Sequence, residues 1–172
     1  MSRLRTAPAL ALAALAIGAG AVGTAGWGET GADGRAVRVT DSDGDVLALV
    51  ELTGDRFAVR YRNSLYGTLA EERYTVTSGG RFTLEELAAD QLAVLEEYYA
   101  LPGPPRPAPD SDRRAFVAPP HPERAPTFDE LSIAATDLGE RTLLVPGSEP
   151  VDLWRLVDDG DPTVVLQVGG VR

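Results

Sequence analysis

The chain has 172 residues, enough for one domain with a sizeable core and too few for two. Its formal net charge is -10, with 16 basic residues, all of them arginine, against 26 acidic ones. A surface this acidic repels phosphate backbones and anionic lipid headgroups, so nucleic acid is not an expected partner. The absence of cysteine excludes disulfides, thiolate metal sites and thiol nucleophiles. The missing lysine, beside abundant Ala, Gly, Pro and Arg, reads as GC-rich codon usage rather than as salt adaptation.

In chain order, residues 1–28 come first, "MSRLRTAPALALAALAIGAGAVGTAGWG". Arg3 and Arg5 form a basic start, no further charge occurs before Glu29, and the apolar run decays into Gly-Ala repeats with a small-x-small step at Gly23-Thr24-Ala25. This is the pattern of a secretory signal peptide. The uncharged run also reaches the ~20 residues that a membrane span requires, so residues 7–25 are alternatively an uncleaved anchor. The glycine-rich end favours cleavage, since glycine weakens a helix. In either case the remainder is expected outside the cytoplasm, secreted or at the cell surface, with the membrane engaged only through this segment. Cleavage after residue 25 removes Arg3 and Arg5 and no acid, taking the formal charge from -10 to -12.

Residues 35–172 read as one β-rich domain. "RAVRVT", "VLALVEL" and "RFAVRYR" are rich in valine, leucine and aromatics, and Asp/Gly turns separate them. After residue 126 the pattern returns in "LSIAA", "RTLLV", "VDLWRLV" and "TVVLQV". This spacing of turns predicts an all-β, mainly antiparallel sandwich or barrel-like meander of about eight or nine short strands. "TLEELAADQLAVLEEYY" stands apart: Leu84, Leu87, Ala88, Leu92 and Leu95 follow helical spacing, and Thr83 with Glu86 fits a capping box. Residues 101–126 hold nine prolines in 26 residues, which excludes a core strand or helix and predicts an extended, mobile surface excursion. "AFVA" in its middle is able to dock back on the body.

Few residues offer chemistry. His121, the single histidine, lies among prolines with no partner to orient it as a base. "DSDGDV" fails the EF-hand pattern, because from Asp41 as position 1 the glycine falls at position 4 and position 12 is Leu52. It reads as a hairpin turn, as does "DDGDP" at 158–162. No phosphate loop, nucleophile elbow or zinc-protease motif occurs, and neither a cofactor nor a metal site is expected.

The most informative stretch is "RYRNSLYGTLAEERYTV", residues 60–76. Phe57, Val59, Tyr61 and Asn63 share one strand face, while Ala70, Glu72, Tyr74 and Val76 share a face of the next. Glu72 therefore falls in the apolar register, and Glu71, Arg73 and Thr75 point to solvent. Pairing Tyr61 with Tyr74 sets Asn63 opposite Glu72, with Ser64 beside them. A half-buried carboxylate costs several kcal/mol unless paired or hydrogen-bonded. Glu72 is expected either to accept backbone N–H groups of the 64–67 loop or to serve a ligand or partner site at the hairpin tip formed by Tyr61, Asn63, Ser64, Glu72 and Tyr74.

Those residues resemble the domain of unknown function 1850 family, small exported bacterial and archaeal proteins in which a strand ends in Tyr-x-His-Ser and is followed by a Val-x-Glu-x-aromatic strand. Tyr61, Ser64, Glu72 and Tyr74 match in order and spacing; Asn63 replaces the family histidine and Ala70 the usual valine. "FDELSIAATDLGERTLLVPGSEPVDLWRLV" looks like the family's closing hairpins, so the resemblance covers residues 45–99 and 127–168. It implies that residues 82–90 are extended, against the helical spacing, and leaves a helix near 88–99 open. It also implies an accessory role beside TRAP-type transporters of the TAXI group, with the solute-binding or membrane subunit as partner. It carries no activity over, and Asn63 removes the titratable partner that a family histidine would give Glu72. The expectation is a non-enzymatic extracytoplasmic accessory or binding protein. The alternatives are a cell-envelope scaffold or adhesion domain, and a hydrolase using Glu72, which would need a second carboxylate about 5 to 9.5 Å away.

Overall fold

A computed structural model describes residues 34–123 and 127–170. The expected signal or anchor segment lies outside the described residues, and among those described no helix is long and apolar enough to cross a membrane. The described residues form twelve strands: β1 (Arg35–Thr40), β2 (Val46–Glu51), β3 (Arg56–Arg62), β4 (Leu69–Val76), β5 (Phe82–Ala89), β6 (Arg106–Pro107), β7 (Phe116–Ala118), β8 (Thr127–Phe128), β9 (Glu130–Ala134), β10 (Thr142–Leu144), β11 (Val151–Asp152) and β12 (Thr163–Gly170). One helix, α1 (Leu92–Tyr98), follows β5, and a 3-10 turn spans Leu153–Arg155.

The strands form two antiparallel sheets. One is four-stranded, in the order β2-β1-β12-β9; the other is eight-stranded, running β11-β10-β3-β4-β5-β7-β6 with β8 on β5. The all-β expectation holds, in its sandwich form. The strand count exceeds the expected eight or nine because β6, β8 and β11 are two residues each, too short to show as periodic runs.

Alternation builds the core. Val37 and Val39 of β1 and Val164 and Leu166 of β12 meet Val59, Leu87 and Leu143 of the larger sheet, all fully buried in one cluster. Each such side chain contributes about 1.5–3 kcal/mol through burial. At one end Phe57, Tyr74, Phe82 and Phe128 pack as stacked and edge-on rings with centroids 5.1–6.0 Å apart. The "SGG" turn before β5 brings Gly80 against β12: a Cβ there would lie 2.6 Å from the Val168 carbonyl oxygen, and its φ of +82° also demands glycine.

The helical spacing around Leu84 has a different cause. Residues 82–89 are strand, as the family resemblance implied, and the helix is confined to Leu92–Tyr98. Between Arg73/Tyr74 on β4 and Glu86/Leu84 on β5 the register slips by one residue, a β-bulge at Glu85. The bulge leaves Leu84 and Leu87, three apart, both buried. Thr83 and Glu86 thus lie in a strand and form no capping box; Thr83 bonds the Thr127 hydroxyl instead.

The proline-rich segment is not the mobile excursion expected from its composition. "AFVA" docks as β7 on β5, burying Val117 and Ala118, and Arg106–Pro107 adds β6 outside it. Prolines deny core positions, but the nine residues free of them, 110–118, supply one short strand between β5 and β6. Residues 106–118 are therefore a strap across the end of the larger sheet. The first Asp/Gly turn is the expected hairpin between β1 and β2, with Asp41 Oδ1 accepting the N–H groups of Asp43 and Asp45. The second is a tight turn closed by an isolated Asp158–Asp161 bridge but no hairpin, because β11 and β12 belong to different sheets, and Asp161 takes a hydrogen bond from the Ser42 hydroxyl.

Candidate functional site: two faces of one strand

β4 carries adjacent glutamates, and the pleat sends them to opposite faces. The β3–β4 register is Phe57↔Tyr74, Val59↔Glu72 and Tyr61↔Ala70, so Glu72 lies opposite Val59 and not Asn63. The expected pairing was displaced by four residues. A slip by an even number leaves every side chain on its own face, which is why the inward placement of Glu72 survives the correction.

The displacement has a cause in Asn63. Its side-chain oxygen accepts the N–H groups of Leu65 (3.1 Å) and Tyr66 (3.0 Å), and its backbone N–H bonds the Thr68 carbonyl (2.8 Å). This Asx turn, with Gly67 at φ +66°, ends β3 one residue earlier and lengthens the loop. Asn63 is 3% exposed, Ser64 is exposed, and the loop is shaped by Asn63 rather than by Glu72.

Glu72 is instead held by tyrosines. Tyr74 donates its hydroxyl to Oε2 (2.8 Å) and Tyr99 donates to Oε1 (2.9 Å). The Tyr61 and Tyr99 hydroxyls are 2.8 Å apart; because Tyr99 spends its proton on Glu72, Tyr61 donates to Tyr99. Burial, followed by the Glu72 charge, pushes the Tyr74 and Tyr99 hydroxyls well above the ordinary tyrosine range. Burial also raises Tyr61, partly opposed by its bond to Tyr99. Tyr61, Glu72 and Tyr74 are thus brought together, and Asn63 and Ser64 stand apart in the loop. Tyr99, the second ligand of Glu72, was missed: it follows α1, 27 residues away, and no local pattern connects the two.

The opposite face corrects a second expectation. Glu71 does not face solvent; its side chain is 0% exposed beneath the strap. Arg113 binds it through Nη2 (2.8 Å) and Nε (3.2 Å), Arg114 through Nε (3.1 Å) and Arg73 through Nε (3.1 Å). Arg73 further engages Asp112 with both terminal nitrogens (2.8 and 2.7 Å) and Glu86 (2.8 Å), while Arg114 reaches Asp90 (2.8 Å). Burial acts to raise Glu71, but Arg113 and Arg73 outweigh it and hold the carboxyl below its usual range. Asp112 is lowered to about 2, first by Arg73 and then, against some burial, by the Arg114 N–H. The sequence signal for this network was "DSDRRAF", an acid-and-arginine cluster inside a proline-rich run.

Strap, sheet and the β10–β11 loop together border an open groove of about 790 Å³. Arg56, Ala58 and Arg60 of β3 and Glu71, Arg73 and Thr75 of β4 form its floor. Residues 111–114 stand on one side, and the loop with Pro146, Gly147 and Ser148 on the other. Among the described residues no group of three His, Asp or Glu side chains is arranged to hold a metal ion.

Fold and site together define an all-β sandwich with a strapped groove on the outer face of its larger sheet. The chain matches no family model, no curated protein and no solved structure.

Proposed function

We propose that this is a non-enzymatic extracytoplasmic accessory or binding protein, with the strapped groove as its binding surface, serving a TRAP-type uptake system of the TAXI group. The observation that carries the binding reading is the groove itself. Its wall is a proline-rich segment that docks on β5 through β7 and is fastened there by a fully buried carboxylate shared among three arginines. Such a wall is preorganised, which lowers the cost of binding. Against a hydrolase stands the state of Glu72, both of whose oxygens are occupied by tyrosine hydroxyls.

The transporter partnership rests on the likeness of Tyr61, Ser64, Glu72 and Tyr74 to the domain of unknown function 1850 pattern, and export rests on residues 1–28. Tagged protein incubated with membranes of the producing cell is expected to retain the solute-binding or membrane subunit of such a transporter. Retention of neither, together with normal solute uptake after deletion of the gene, would sink the partnership.

A further inference from the structure

The groove's charges are unevenly spent. Five arginines line it, Arg56, Arg60, Arg73, Arg113 and Arg114, against Glu71, Glu85, Glu86 and Asp112. Glu71, Glu86 and Asp112 are already committed to arginines. Arg73 and Arg114 are committed in turn, each divided between carboxylates. Arg60 is different. It sits half-buried in the floor, its Nη2 bonds only the Thr142 hydroxyl (3.1 Å), and it has no carboxylate partner among the described residues. Arg113 meets Glu71 through Nε and Nη2, its Nη1 makes no hydrogen bond among the described residues, and its side chain is 59% exposed. Glu71, which Arg113 binds, is the residue opposite Arg60 in the β3–β4 register, so both arginines belong to the same part of the groove. In a chain of formal charge -10, this concavity offers cationic donors.

The sheet register says what should lie beside the charge. Arg60 pairs with Thr142; two residues along, on the same face, Ala58 pairs with Leu144. That apolar pair lies about 6.6 Å from the charged one along the strands, and Pro146 extends it on the loop side. A cationic row followed by an apolar row suits a ligand with one anionic head and a short carbon body. The planar guanidinium donors fit a carboxylate, and the chain's formal charge of -10 disfavours polyanions.

We propose that the groove binds a small monocarboxylic acid, its carboxylate held by Arg60 and Arg113 and its carbon chain laid on Ala58, Leu144 and Pro146. This names the ligand chemistry of the binding reading above and does not depend on the transporter partner.

Hexanoate titrated into the purified protein is the test, followed by amide chemical shifts and calorimetry, with hexanamide and inorganic phosphate as parallel probes. Saturable shifts at Arg60, Thr142 and Leu144 are expected for hexanoate. Hexanamide should bind at least about tenfold more weakly, as should hexanoate to Arg60→Gln, since each loses a charge-assisted hydrogen bond. Leu144→Glu, which leaves Arg60 in place and adds a negative charge to the apolar row, should abolish binding while the melting temperature stays near that of the parent. Arg155→Gln, at the cation stacked on Trp154, should change nothing. Equal binding of hexanamide, phosphate binding as tight as hexanoate, no saturation with hexanoate, or undiminished binding by a folded Arg60→Gln protein would each overturn the proposal. Hexanoate binding without transporter capture removes the transporter alone; capture without hexanoate binding removes this ligand alone.

Discussion

A single carboxylate placed in an apolar register has to be satisfied by whatever the fold brings to it, and Glu72 is satisfied by hydroxyls rather than by cations. Two tyrosines donate to it and a third donates to one of those, so the group is a fixed acceptor with oriented donors. Glu72→Gln keeps the shape but replaces one acceptor oxygen with a donor NH₂ that faces a tyrosine hydroxyl. A loss of about 1–2 kcal/mol is expected, the usual cost of a buried polar group deprived of its partner, read as a lowered denaturation midpoint with unchanged slope. Asn63 teaches the complementary lesson. A side chain that resembled half of a site is the residue that closes the loop, and its two backbone bonds account for its burial. Glu72 was legible as an anomaly because alternation alone exposes a charge in the wrong column. Its partner Tyr99 was not, because the contact depends on where α1 ends.

At the scale of elements, the strap and β4 stabilise each other. Fully burying Glu71 is tolerable only with guanidinium groups around it, and two of its three arginines come from the strap. Glu71→Ala leaves Arg73, Arg113 and Arg114 without their shared anion, so about 3–5 kcal/mol of stability should be lost, with amide exchange rising first in residues 106–118. Acid should act at the same place. Asp112 and Glu71 have folded pKa values below their unfolded ones, so their contribution is present above the unfolded value near 4 and disappears as pH falls, for Asp112 through about 2. Acid titration should therefore show stability declining from about pH 4 downward, and the decline should be shallower in Asp112→Asn. The sequence showed this element only as composition. Nine prolines hide a three-residue strand, since "FVA" is too short to display a period. The bulge at Glu85 misled in the opposite sense, because one inserted residue turns a period of two into a local spacing of three.

Across the whole molecule, two layers with one shared core were foreseeable from turns and alternation, because those local signals match the final fold at most positions. What they could not supply was which strands become neighbours: β12 joins β1 across more than a hundred residues, and β10 joins β3 across about eighty. Acidic charge covers most of the chain, yet the strap gathers arginines into one groove, a contrast that summed composition conceals. The larger sheet also ends in two stubs, β11 with two residues and β6 with Arg106–Pro107. A strand that short templates little, and proline lacks the N–H that an incoming strand would need. Pro107, one of the prolines that exclude a core strand from residues 101–126, thus blunts this flank of the larger sheet against edge-to-edge pairing with a second copy.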